Sequence, residues 1–298
     1  MSARLRGIAK QTEEIVERGR YTAPGGREVS IAGAVAAAME GTALFGPEPV
    51  PVSDAEAVSG AGPEAGAGER LPTVFEVTGE SSLEAARRLV GGGPGDGDGP
   101  DPGSPVAVLN FASARNPGGG YLNGAQAQEE ALCRASALYV CLLRAPGYYE
   151  HHRTERSPFY SDRVIHSPGV PVFRDEHGEL LEEPFEVGFL TSPAPNAGVI
   201  ARRTPEEAGR IPGALLVRAE RVLEVAAAQG YRRLVLGAWG CGVFRNDPAV
   251  VAGAFRSHLA DGGRFAGRFA HVVFAVLDRR ADSPTRAAFH RAFAGLAG

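Results

Sequence analysis

Residues 106–112, VAVLNFA, are apolar apart from Asn110, and this run constrains the fold more than any other stretch of the chain. A run without polar alternation predicts a strand covered on both faces, as strands are in α/β sheets. The pattern returns in TVFEVTG (73–79), EVGFLTS (186–192), LVLGAW (234–239) and HVVFAVLD (271–278). Helical spacing separates these runs. Residues 2–18 carry Leu5, Ile8, Thr12, Ile15 and Val16 on one face, with Gly19 as a C-terminal stop. A hairpin is expected around Pro24-Gly25-Gly26, and a helix at about 31–41. A capping box, Ser81 to Glu84, starts a helix through Val90. Another spans 213–229 with Leu215, Leu216, Ala219, Val222, Leu223 and Ala226 inward, and the last starts near Ser283-Pro284. Strands alternating with helices predict an α/β fold with a mixed sheet, whose ligands bind where strand ends meet helix starts.

The stretch 106–144 is a strand, a loop and a helical segment in which Leu132, Tyr139 and Leu143 recur on one face. Its loop holds Asn110, Asn116 and Gly118-Gly119-Gly120, then Gln128-Glu129-Glu130. Consecutive glycines reach positive φ and bring backbone N–H groups close to a ligand. Carboxylates in a first helical turn are favoured by the helix dipole, whether as capping groups or as working acids. A second glycine turn, Gly240-Cys241-Gly242-Val243-Phe244, precedes Asp247 and Pro248, placed as N-cap and first residue of a helix. Such a turn presents N–H groups to phosphates. Cys241 has no histidine committed to it, which argues against a nucleophilic thiol.

GGG, seven intervening residues and then QEE, downstream of LNFAS, resembles the signature of the bacterial-type poly(ADP-ribose) glycohydrolases of the macrodomain superfamily. That resemblance implies a three-layer α/β/α macrodomain-like core at 71–298, preceded by an N-terminal helical accessory segment, 1–45, beside the ligand cleft. It implies hydrolysis of ribose–ribose O-glycosidic bonds to release ADP-ribose, with Glu130 as general acid/base and Glu129 on ribose hydroxyls. Gly118, Gly119, Gly120, Asn110, Asn116 and Gln128 would line the ligand site. The turn 240–244 would hold the diphosphate, with Phe244 against a ribose. Glu80 is either the acid that meets the adenine amino group in macrodomains or a plain helix-start acid. Where many macrodomains place an asparagine for the distal ribose, this chain has Ser113, leaving Asn110, Asn116 and Asn123 as candidates. A non-catalytic reader of ADP-ribose needs the loops but not the second glutamate, so QEE favours an enzyme; removal of mono-ADP-ribose from protein or DNA uses the same pocket. The implied partners are poly(ADP-ribose), ADP-ribosylated proteins and ADP-ribose as product, met by a monomer.

A net charge of −4 argues against a dedicated nucleic-acid binder, yet permits a polyanion held by backbone amides in a local pocket. Of 31 basic residues only Lys10 is a lysine. Three cysteines without CxxC spacing suggest neither a disulfide framework nor a zinc ribbon. The adjacent His151 and His152 point apart and lack a third ligand, so neither metal nor cofactor is expected. No apolar leader or span is visible, and the expectation is cytoplasmic. Residues 46–70, nearly free of large apolar side chains, and the glycine-rich 91–105 are expected as flexible loops.

Overall fold

The computed structural model describes residues 2–52, 72–91, 103–278, 280 and 282–296. Most of both expected loops, 53–70 and 92–102, lies outside these residues. The chain runs α1 (Ala3–Arg18), β1 (Arg20–Thr22), β2 (Glu28–Ser30), α2 (Ala32–Gly41), β3 (Ala43–Phe45), β4 (Val74–Thr78), α3 (Ser82–Gly91) and β5 (Val106–Phe111). It continues with α4 (Gln128–Ala135), α5 (Leu138–Leu142), α6 (Pro146–Thr154), β6 (Val164–Arg174), β7 (Leu180–Ser192) and α7 (Ala197–Arg203). It ends with α8 (Ile211–Ala228), β8 (Arg233–Gly237), α9 (Pro248–Leu259), β9 (His271–Ala275) and α10 (Pro284–Phe293). Parallel and antiparallel strands both occur, interleaved with helices, as the α/β expectation requires. Among the described residues no helix is long and apolar enough to cross a membrane.

Two compact units emerge. The first comprises residues 1–46 and 108–193, with strand order β3–β6–β7–β5. α1 ends where expected: Gly19 takes φ 65° and its N–H closes on the Val16 carbonyl. The helix lies on the loop and helix that follow β5. Thr12 donates to the Arg134 carbonyl at 2.7 Å, and the Tyr121 hydroxyl sits 2.8 Å from Glu13 and 3.1 Å from the Ala9 carbonyl. The N-terminal segment thus braces the element that carries QEE.

Residues 161–183 read as short strands around a His177-Gly178 turn. Instead β6 and β7 are 11 and 13 residues long. A register shift between Ser167 and Val170, with Gly169 at φ 53°, absorbs Pro168 without ending the ladder, and Pro171 stays in register opposite Glu186. The helical stretch after QEE is likewise two helices. Ser136 is extended and bridges Val172, and Ala137 donates to the Pro171 carbonyl, so α4 stops at Ala135. Leu143, assigned to the inner face of one long helix, is consequently exposed.

The second unit comprises residues 47–107 and 194–298, with parallel order β8–β9–β4. α3 packs on β8 and β9, and α10 covers β4. An aromatic cluster joins them: Phe293 stacks 4.3 Å from Phe274 and 5.3 Å from Phe75. The Ser81–Glu84 box forms in both directions, at 2.7 and 3.1 Å. On α8 the expected face is buried except Leu216, which is exposed. The start of the expected 46–70 excursion is tied down, with Arg221 donating to the Pro47 carbonyl at 2.7 Å and Val50 N–H to Glu224 at 3.3 Å.

Candidate active site

The cradle is built outward from the end of β5. Asn110 is fully buried; its amide donates to Thr191 Oγ1 at 3.1 Å and reaches Glu129 Oε1 at 3.4 Å. Gln128, expected among the ligand-binding residues, has both ends of its amide on the strand. Its Oε1 accepts from Phe111 N–H at 2.8 Å and its Nε2 donates to the Leu109 carbonyl at 2.7 Å. These bonds fix the start of α4 against β5.

Both glutamates are nearly buried. Glu129 Oε2 accepts from Ser113 N–H at 2.7 Å. Glu130 Oε1 accepts from Gly120 N–H at 2.9 Å, and its Oε2 from Ala127 N–H at 3.0 Å, closing the first turn of α4. Adjacent helical residues diverge by about 100°, yet here the loop curls so that both carboxylates meet Gly119. A Cβ there would lie 2.6 Å from Glu130 Oε1 and 3.1 Å from Glu129 Oε2.

The three glycines differ from expectation in one respect. Gly118 and Gly119 do take positive φ, 63° and 59°. Their donors, however, turn inward: Gly118 N–H onto Glu129, Gly119 N–H onto the Asn116 carbonyl at 2.9 Å, and Gly120 N–H onto Glu130. The triplet's backbone thereby mounts the two acids. Asn116 takes part through its backbone and leaves its side chain exposed, as does Asn123. Of the three asparagines considered for the distal ribose, Asn110 is the one that touches Glu129.

Sequence reasoning missed Thr191 and Arg134 and noted Ser113 only as a departure from the macrodomain pattern. Ser113 holds Glu129 through its backbone and accepts from Asn116 N–H at 3.2 Å through its hydroxyl. Arg134, mostly buried, donates to the Ala125 carbonyl at 2.7 Å and spans the loop. The holds of Ser113 on Glu129 and of Thr191 on Asn110 depend on partners brought in by the fold, 16 and 81 residues apart in the chain.

Burial pushes the Glu129 carboxyl up to about 8, with the Glu130 charge adding to the rise; Ser113 N–H, Asn110 and Gly118 N–H oppose it. The folded value lies above the unfolded one of about 4.3, so folding favours the protonated form. The associated stability is complete below the unfolded value and is lost as pH rises through about 8. Each unit of that displacement corresponds to about 1.4 kcal/mol. Melting temperatures of the wild type are expected to fall over this range relative to Glu129→Gln, which cannot ionise. A difference between the two that stays constant from about pH 5 to pH 9 contradicts the assignment.

In the second unit, Gly240 takes φ 70°, and a Cβ there would meet Ala194 Cβ and Asn246 Nδ2 at 2.5 Å. Asn246 braces the turn, donating to the carbonyls of Pro195 at 2.8 Å and Gly240 at 3.2 Å. Asn196 is the N-cap of α7, accepting from Val199 N–H at 3.0 Å. Gly198 N–H binds the Phe244 carbonyl at 2.9 Å, and Asp247 caps α9 as expected. Among the described residues no protein acceptor takes the N–H groups of Gly242 and Val243, and both residues are exposed. Burial pushes the Cys241 thiol up to about 12, which removes it as a nucleophile at neutral pH. Glu80 pairs with Arg88 at 3.0 Å, and Arg88 also binds Glu76 at 2.7 Å. This ion network ties β4 and the segment before α3 to the last turn of α3.

The family model described as microbial-type PARG, catalytic domain, matches residues 9–175. Solved structures align over nearly the whole chain. Poly(ADP-ribose) glycohydrolase from Thermomonospora curvata is 55% identical, covering 98% of this chain and 100% of that one with a TM-score of 0.84. The same enzyme bound to the inhibitor ADP-HPD is 54% identical, covering 97% and 99%, at 0.82. Poly(ADP-ribose) glycohydrolase from Deinococcus radiodurans in complex with ADP-ribose is 44% identical, covering 91% and 100%, at 0.75. No curated protein matches.

Proposed function

We propose that this chain, which belongs to the microbial-type poly(ADP-ribose) glycohydrolase family, hydrolyses the ribose–ribose O-glycosidic bonds of poly(ADP-ribose) and releases ADP-ribose. The observation that carries the reading is the pair of adjacent buried glutamates mounted on Gly119 by separate backbone donors. Glycosidic cleavage needs a proton on the leaving oxygen and stabilisation of an oxocarbenium-like sugar. Glu130 gives its proton to the departing ribosyl oxygen as the C–O bond breaks. It then takes a proton from the water that attacks the anomeric carbon, and so returns to its starting state. Glu129, anchored on Ser113 and Asn110, holds the ribose hydroxyls. Neither glutamate has freedom to wander, which is the form in which orientation contributes to rate. In the second unit the N–H groups of Gly242 and Val243, which no protein acceptor among the described residues takes, are donors suited to a phosphate.

Incubation with automodified polymer, with products resolved by size, tests the reading. ADP-ribose is expected to accumulate as chains shorten. Polymer left at full length rules out the enzyme in favour of a reader. Release of single protein-linked units alone reassigns it to mono-ADP-ribose hydrolysis.

A further inference from the structure

The loop that ends in the acid mount continues into a group of arginines that the proposed reaction does not use. Ser113 holds Glu129, and two residues later Arg115 donates through Nε to the His152 carbonyl and through Nη2 to the Arg156 carbonyl, both at 3.2 Å. Arg153 returns the contact, with Nη1 donating to the Arg115 carbonyl at 3.0 Å. Arg115 also lies 5.9 Å over the ring of Tyr160, which adopts φ 59° although it is not glycine.

Among the described residues Arg115, Arg153 and Arg156 have no ion-pair partner, although Glu150, Glu155 and Asp162 lie in the same stretch. This stands out in a chain of net charge −4. Like charges held together repel unless something offsets them. Here carbonyl dipoles and the Tyr160 ring offset Arg115 and a carbonyl offsets Arg153, while Arg153 and Arg156 remain exposed. The Arg115 and Arg153 guanidinium groups, fixed by backbone carbonyls, present their remaining donors at low entropic cost, which is the arrangement that binds phosphate.

We infer that Arg115, Arg153 and Arg156 form a docking path for the next diphosphate of the polymer, the one on the chain side of the bond being cut. The inference rests on the proposed cleavage of poly(ADP-ribose), whose every repeat carries a diphosphate. Arg115 orders the path, and Arg153 and Arg156 meet the polyanion. Their part is to hold the chain, so their contribution falls on KM for polymer and not on the bond-breaking step.

The test compares the double charge reversal Arg153→Glu with Arg156→Glu against the wild type and against Lys10→Glu, a reversal of an exposed cation on α1. KM and kcat are measured on long polymer at several salt concentrations, and ADP-ribose affinity by calorimetry. The double variant is expected to raise polymer KM about tenfold or more, with kcat and ADP-ribose affinity within about twofold. Wild-type KM is expected to rise with salt, and that dependence to flatten in the double variant. Lys10→Glu is expected to match the wild type. Replacement of both residues by lysine is expected to restore most of the polymer affinity. A double variant with wild-type polymer KM and salt dependence overturns the path. So does an equal loss of ADP-ribose affinity, which would indicate a disturbed product site. Should the wild type leave polymer uncut, the enzyme reading fails by itself. Filter retention of polymer then decides the path, with equal retention by wild type and double variant overturning it.

Discussion

Glu130→Gln is expected to lower polymer cleavage by about 10²–10⁴-fold, the usual worth of one positioned proton donor. The replacement keeps the length of the side chain and removes its titratable proton. It is not silent structurally, because Glu130 accepts from Gly120 N–H through one oxygen and from Ala127 N–H through the other. An amide offers one acceptor where the carboxylate offers two, so one of these donors loses its partner, at a cost of about 1–3 kcal/mol. The variant should melt lower yet still bind ADP-ribose, since the released product needs no acid. Rates on polymer, calorimetry with ADP-ribose and a melting curve together check this. Near-wild-type cleavage in a folded Glu130→Gln protein removes Glu130 as the acid.

Gly119→Ala should be nearly as damaging, for a reason the sequence alone does not supply. At φ 59° a side chain is strained by about 1–2 kcal/mol from its own backbone. The added methyl would also stand 2.6 Å from Glu130 Oε1 and 3.1 Å from Glu129 Oε2. The carboxylates must move, and a displacement near 1 Å in such a site costs about 100-fold in rate. The expected phenotype is a folded, destabilised protein with polymer cleavage down by about two orders of magnitude. Gly242→Ala, where a Cβ meets nothing within 4 Å, serves as the comparison for stability. If Gly119→Ala cleaves polymer at the wild-type rate, Gly119 is not the meeting point of the two acids.

The features legible in the sequence share a short range. Gly19 as a helix stop, the Ser81–Glu84 box, Asp247-Pro248 and Ser283-Pro284 all act within one turn of a helix. Apolar runs marked the buried strands because burial on both faces leaves no place for alternation. The chemistry-bearing stretch was legible too, since GGG and QEE sit on the same loop and helix start.

The amino-acid order alone therefore determined the class of fold, the position of the acids and the glycines that let them approach. Tertiary structure decided where the polar groups point. Gln128 was free to face a ligand until β5 presented Leu109 and Phe111 to it. The N–H groups of residues 118–120 looked available for phosphate until the fold turned them onto the carboxylates and the Asn116 carbonyl. Ser136 broke one helix into two because β6 offered Val172 as a partner. Arg115 found its carbonyls 37 and 41 residues away. Periodicity reports which face of an element is apolar, a local property of the chain. A donor or acceptor is satisfied by whichever group the packed fold places within about 3 Å of it, and that group comes from anywhere along the sequence.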